Sequence, residues 1–107
     1  MKKGPLSGVK VIEFAGIGPG PFCGMLLSDM GADVLRIDRD EKEVSRHVIE
    51  GRGKRSIKLN LKDPGDIRTC FSLIEKADIL QEGFRPGVME RLGLGPDECF
   101  KRNKALV

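Results

Sequence analysis

The chain has 107 residues, of which 39% are hydrophobic, 33% charged and 5% aromatic, and its formal net charge is +3. That length allows one small domain, and the apolar runs (residues 9–12, and 22–27 broken by Gly24) are far too short to cross a bilayer. The charge is mild, Trp and Tyr are absent, and Met1-Lys2-Lys3 runs into Gly4-Pro5, so no nucleic acid, membrane anchor or secretory signal is expected. In chain order, residues 9–14 (Val-Lys-Val-Ile-Glu-Phe) predict a strand buried in a parallel sheet. The glycine-rich turn 15–21 follows, with Pro21 suited to the first position of a helix. Phe22, Met25, Leu26 and Met30 recur at helical spacing, and Gly31 is placed to stop that helix. Residues 34–38 predict a second strand, which completes a βαβ unit.

The polar stretch 39–55 predicts a loop over the sheet edge, and residues 56–61 alternate as a third strand. Asp63-Pro64 is a helix start, and Ile67, Cys70, Phe71, Ile74 and Ala77 form the apolar stripe of the helix it opens. Residues 77–80 predict a short buried strand, 83–87 a loop, 88–92 a helical turn and 97–103 a last amphipathic helix. Residues 105–107 look like the start of one more buried strand. The fold class expected is α/β, a Rossmann-like open parallel sheet of repeated βαβ units that is incomplete.

Three cysteines, Cys23, Cys70 and Cys99, stand far apart without paired spacing, so buried free thiols in a reducing compartment are expected rather than disulfides or a metal site. His47 is the one histidine, and its polar surroundings predict a solvated loop residue. A glycine turn between strand and helix gathers backbone N–H groups into an anion site. Gly16 and Gly18 match the first two glycines of a dinucleotide fingerprint, with Asp38 at about the ribose-binding distance. Pro21, however, stands at the third glycine position and Pro19 removes a further donor, which argues against a dinucleotide. Gly53-Lys54-Arg55 lacks the rest of a Walker A motif.

Between residues 52 and 62 the chain carries Arg52, Lys54, Arg55, Lys58 and Lys62 with no acid among them. Arg36 and Arg39 bracket Asp38, and Arg85 follows the fourth strand. These cations either ring a crevice for a ligand with several phosphates or form an ordinary solvated basic face.

The runs Gly4-Pro5-Leu6-Ser7-Gly8-Val9-Lys10-Val11-Ile12-Glu13 and Ala15-Gly16-Ile17-Gly18-Pro19-Gly20-Pro21-Phe22-Cys23 resemble the opening of the class III CoA-transferase family (CaiB/BaiF type). Residues 29–39, Arg52-Gly53-Lys54-Arg55-Ser56, Leu59-Asn60-Leu61-Lys62 and residues 83–93 extend the resemblance, with 40–51 the weakest stretch. Within the family the chain is most similar to the alpha-methylacyl-CoA racemase branch. Formyl-CoA transferases carry glutamine where Gly18 stands, have a longer insert before the basic strand, and lack an arginine like Arg85.

The resemblance implies that residues 1–107 are the amino-terminal CoA-binding part of a Rossmann-like large domain. It further implies a homodimer of interlocked subunits, or self-association or a complementary carboxyl-terminal chain, acting on an acyl-CoA thioester in fatty acid and lipid metabolism. Carried over by position, Arg39 would meet the adenosine end of CoA, stacking on adenine or pairing with the 3′-phosphate. Ile17 would flank the adenine or the thioester entrance. Leu59, Asn60, Leu61 and Lys62 would give backbone contacts, Asn60 standing where many relatives carry Asp. Phe84, Arg85 and Met89 would close over the nucleotide and pantetheine arm. The histidine and aspartate bases that move the α-proton in the family are not matched here, so no catalytic residue, metal or resident cofactor is assigned; CoA is the substrate's handle. The compartment implied is intracellular: cytoplasmic in a bacterium, mitochondrial or peroxisomal in a eukaryote. A formyl-CoA-type transferase fragment and a non-catalytic CoA-binding module are the alternatives.

Overall fold

Apolar, β-branched residues dominate the two central strands of this protein, and the computed structural model describes residues 3–39 and 49–107. Strand β1 is Lys10–Phe14, helix α1 is Pro19–Asp29 and strand β2 is Asp33–Asp38. Strand β3 covers Arg55–Lys58, helix α2 Pro64–Ile74 and strand β4 Ile79–Gln81. Two short helices follow, α3 at Val88–Arg91 and α4 at Pro96–Arg102. The strands are all parallel, in the order β3-β2-β1-β4. The chain therefore winds outward from β1 to β3, and α2 then carries it back to β4 on the other side of β1. That reversal opens a switch point between the carboxyl ends of β1 and β4, where open α/β sheets bind ligands.

Local sequence explains most of these elements. Asp63 caps α2 by accepting the Asp66 N–H at 3.0 Å, and Pro64 follows where a missing donor costs nothing. At the far end Asn103 donates to the Ile74 and Ala77 carbonyls, at 2.9 and 2.7 Å, satisfying groups the helix leaves open. Helix α1 starts two residues before the predicted position, because Gly18 adopts φ +80° and turns the chain sharply out of β1. β3 is shorter than predicted because its ladder partner β2 ends at Asp38. The Leu59 N–H makes one last bond to the Asp38 carbonyl, at 2.9 Å. Val107 has begun a further ladder on the outer edge of β4: its N–H meets the Asp78 carbonyl and its carbonyl the Leu80 N–H.

The two faces of the sheet differ. On the α2 face, Ile12, Phe14 and Ile37 pack with Cys70, Phe71 and Ile74 in the main core. On the α1 face a smaller cluster, Val11, Ala32 and Val34, gives way to buried Glu13, Arg36 and Asp38. Helix α1 rides close over this charged layer, so its buried residues are the small Pro21, Gly24 and Ser28 with Met25. A Cβ at Gly24 would overlap the Glu13 carboxylate.

Of the apolar residues at helical spacing along α1, Met25 is buried, whereas Phe22, Leu26 and Met30 face outward, 52%, 44% and 40% exposed. Cys23 is exposed with them, against expectation, while Cys70 and Cys99 are buried as expected. Burial pushes the Cys70 thiol up to about 11 and raises Cys99 as well. Residues 40–48 of the loop predicted over 39–55, His47 among them, lie outside the described residues. Among the described residues, no helix is long and apolar enough to cross a membrane.

Candidate functional site

The carboxyl ends of the strands gather several of the predicted residues. Arg39 leaves β2 with its guanidinium carbon 4.9 Å from the centroid of the Phe84 ring. Phe84 in turn leans on Phe14 of β1, centroids 6.2 Å apart and planes tilted by 57°. The result is a column from core to solvent: a buried ring, a half-buried ring and a cation. An exposed contact of this kind is worth about 0.5–1 kcal/mol, enough to orient a guanidinium whose N–H groups stay open to a ligand. Arg85 is exposed beside Phe84, and Met89 is buried. Both line an apolar cleft of about 490 Å³ along the outer side of β4, with Leu80, Leu94, Phe100 and Leu106. Ile17 stands 86% exposed in the glycine turn.

The run after β3 has less to offer than the sequence implied. Leu59 and Leu61 are buried in the main core. The Leu59 N–H is taken by Asp38, the Asn60 N–H donates to Asp66 Oδ2 at 2.7 Å, and the Lys62 N–H to Asn60 Oδ1 at 3.0 Å. A backbone contact from this run is thus confined to the Leu61 N–H and the carbonyls. Lys62 itself is exposed.

Of the predicted basic rim, Arg36, Arg52, Lys54 and Arg55 are spent on internal ion pairs. Arg36 is buried and grips Asp38 with two hydrogen bonds, 2.7 and 3.2 Å. Arg55 opens β3 at the amino end of the sheet, away from the crevice, and pairs with Asp33 at 2.8 Å. Arg52 pairs with Asp29 at 2.6 Å, and that hydrogen bond raises its guanidinium value further. Arg36, Arg52 and Arg55 therefore do not join Arg39 and Arg85, because each has an acid within reach: Asp38 on the same strand for Arg36, and Asp29 of α1 and Asp33 of β2 for the other two. The lock on Asp38 also removes the acid a dinucleotide ribose would need, and α1 begins with Pro19 and has Pro21 in its first turn, neither with an N–H to offer.

Sequence reasoning missed a buried polar centre beneath the first turn of α1. Lys54, its side chain 1% exposed, sits 2.8 Å from Glu13 Oε1 and 3.1 Å from the Pro21 carbonyl. Gln81 Nε2 donates to Glu13 Oε1 at 3.0 Å and to the Gly20 carbonyl at 2.9 Å. Burial raises the Glu13 carboxyl above its usual value, against the pull of Lys54, Gln81 and Arg36. The available signal was a lone glutamate inside an otherwise apolar strand, Val11-Ile12-Glu13-Phe14.

Residues 6–107 match the family model described as CoA-transferase family III. The chain belongs to that family. It is 46% identical over 104 residues to the alpha-methylacyl-CoA racemase of Homo sapiens, covering 95% of this chain and 26% of that protein. It is 39% identical over 118 aligned positions to the acetyl-CoA:oxalate CoA-transferase of Acetobacter aceti, covering 98% of this chain and 30% of that one. The transferase alignment runs about thirteen positions longer than the stretch of this chain it covers and the racemase alignment about two, so the transferase carries more inserted positions relative to this chain. Among solved structures, Rv3272 from Mycobacterium tuberculosis superposes with a TM-score of 0.91 at 34% identity, covering 100% of this chain and 33% of that one. This family III chain thus spans between a quarter and a third of the length of these relatives, and its fold is that of a piece of the larger one.

Proposed function

We propose that this chain supplies the CoA-binding part of a family III enzyme that epimerises 2-methylacyl-CoA thioesters. The observation that carries the CoA site is the Arg39–Phe84–Phe14 column at the switch point, with Arg85 beside it. Arg39, oriented by Phe84, would take the 3′-phosphate or the adenine face, each charge-assisted contact being worth roughly 1.5–3 kcal/mol. Ile17 would flank the adenine. Phe84, Arg85 and Met89 would close over the arm, which the apolar cleft suits, and the 59–62 backbone would add a contact through Leu61. CoA is proposed as the substrate's handle, with no resident cofactor.

Racemisation needs the α-proton taken from one face of the thioester and returned on the other, with the enolate stabilised between two bases. None of these roles is given to a residue of this chain. Its partners would be the acyl-CoA, a second copy and, through the edge of β4, further polypeptide. Gly18 and the smaller insertion relative to the racemase than to the transferase support epimerisation over transfer. The likeness to transferases keeps a CoA-transferase as the second reading.

Calorimetric titration with CoA, dephospho-CoA and NADPH tests the site. CoA should bind tightest, and Arg39→Ala should weaken it roughly tenfold while Arg39→Lys restores only part, since an ammonium stacks poorly on a ring. Equal affinity for all three compounds defeats the proposal.

A further inference from the structure

Two loops make the walls of the switch point: residues 15–18 after β1, running into the first turn of α1, and residues 82–87 after β4. The first turn of α1 comes close to the second loop, for a Cβ built on Gly20 would stand 4.0 Å from the Gly83 nitrogen. The first wall has little to hold itself with. Gly16, Gly18 and Gly20 leave its backbone free, and Pro19 and Pro21 remove two donors that could tie it down. What meets it instead comes from below. Lys54 donates to the Pro21 carbonyl, Gln81 to the Gly20 carbonyl, and both are joined through the Glu13 carboxylate.

We propose that Glu13, Lys54 and Gln81 act as one buried clamp that sets the two walls of the crevice at a fixed separation. They are positioning residues: the Glu13 and Lys54 side chains are buried, and the Gln81 amide nitrogen is committed to Glu13 and the Gly20 carbonyl although Gln81 also borders the cleft. Glu13 belongs to β1, Gln81 to β4 and Lys54 to the segment leading into β3, so one carboxylate ties three parts of the sheet to a single helical turn. Gln81 also stands immediately before the loop that carries Phe84 and Arg85.

Stability alone does not account for such a group. A buried ion pair roughly breaks even against apolar side chains of the same size, whereas the directed hydrogen bonds to the Gly20 and Pro21 carbonyls fix a position. The adjacent ladder pair Glu13↔Arg36 adds a second cation beside the carboxylate, but Arg36 is already committed to Asp38. Lys54 is therefore the clamp's own counter-charge. The proposal leans on the CoA-site reading only for its affinity measurement.

The test compares the 107-residue chain with Glu13→Gln/Lys54→Met and with Gln81→Leu. Three quantities are followed: the urea midpoint, amide hydrogen exchange by NMR at residues 18–24 and 82–85, and CoA affinity. The double variant loses both charges together, so its urea midpoint should stay near that of the parent. Exchange at the Phe22 and Gly24 amides should nevertheless speed up, and CoA affinity fall, each by roughly tenfold. Gln81→Leu, which leaves the ion pair whole, should loosen the same 18–24 amides from a strand some sixty residues away. Should the double variant fail to fold, this single variant decides.

Unchanged exchange in both variants overturns the clamp, as do changes spread evenly over the chain in step with the urea midpoint. If the parent binds no CoA, the CoA-site reading fails, and the exchange rates alone judge the clamp.

Discussion

Glu13 carries a consequence for pH. Lys54, Gln81 and Arg36 face it, and burial still outweighs them, holding its carboxyl above the ordinary 4.5. A carboxyl with a raised folded value binds its proton more tightly when native, so its contribution is fully present below pH 4.5 and is lost as pH rises through the raised value. Glu13→Gln removes this component. Urea midpoints measured upward from pH 4.5 should thus fall more for the parent than for the variant, and parallel curves would dismiss the assignment. The cysteines divide as sharply. Cys23 is exposed, whereas Cys70 is buried with its thiol near 11 and Cys99 is buried against the Leu94 carbonyl. One thiol per chain should react with an aromatic disulfide reagent at pH 8, and the other two only after unfolding. Cys23 could not be placed from sequence. Helical spacing tells which residues share a face, and here the face that meets the sheet was chosen by a glutamate from another strand.

Helix α2 was legible at its start and along its buried face, because those signals are local: a capping Asp63, a proline after it and an apolar stripe at 70, 71 and 74, although Ala77, counted in that stripe, lies beyond the helix end at Ile74. Replacing the cap should show its worth, with Asp63→Ala costing about 1 kcal/mol in a denaturant titration and Asp63→Asn much less. Helix α1 was legible as a helix but not in its orientation. The boundaries of β3 were hidden for a similar reason, since a strand lasts only as long as its neighbour, and β2 stops at Asp38. The basic run from 52 to 62 was the least transparent. Its acids, Asp29, Asp33 and Glu13, lie 22 to 41 residues away in sequence and become partners only when the sheet is assembled. The column at the crevice was easier: Arg39 and Phe84 were each named from a motif, and parallel strand order supplies their meeting.

The described residues form one sheet of four parallel strands, with the crevice at its switch point and the main core on one side. The family's fold class was readable because a strand–turn–helix–strand unit occurs twice along the chain. The activity is not spread so evenly. A surface that grips a nucleotide handle does not by itself move a proton from carbon, which needs a base on each side of that carbon. Incubating the chain with a 2-methylacyl-CoA in deuterated water should therefore give no exchange at the α-position above the buffer rate. Exchange dependent on the protein would mean that a base among these 107 residues has been overlooked.

Helix α1, with its salts beneath and Phe22, Leu26 and Met30 above, inverts the ordinary arrangement of oil and water. In dilute solution the molecule wears its grease on the outside. Its handling should be governed by that ridge: clinging to resins and plastic, brightening of solvatochromic dyes, and relief by mild detergent at concentrations that leave the sheet untouched.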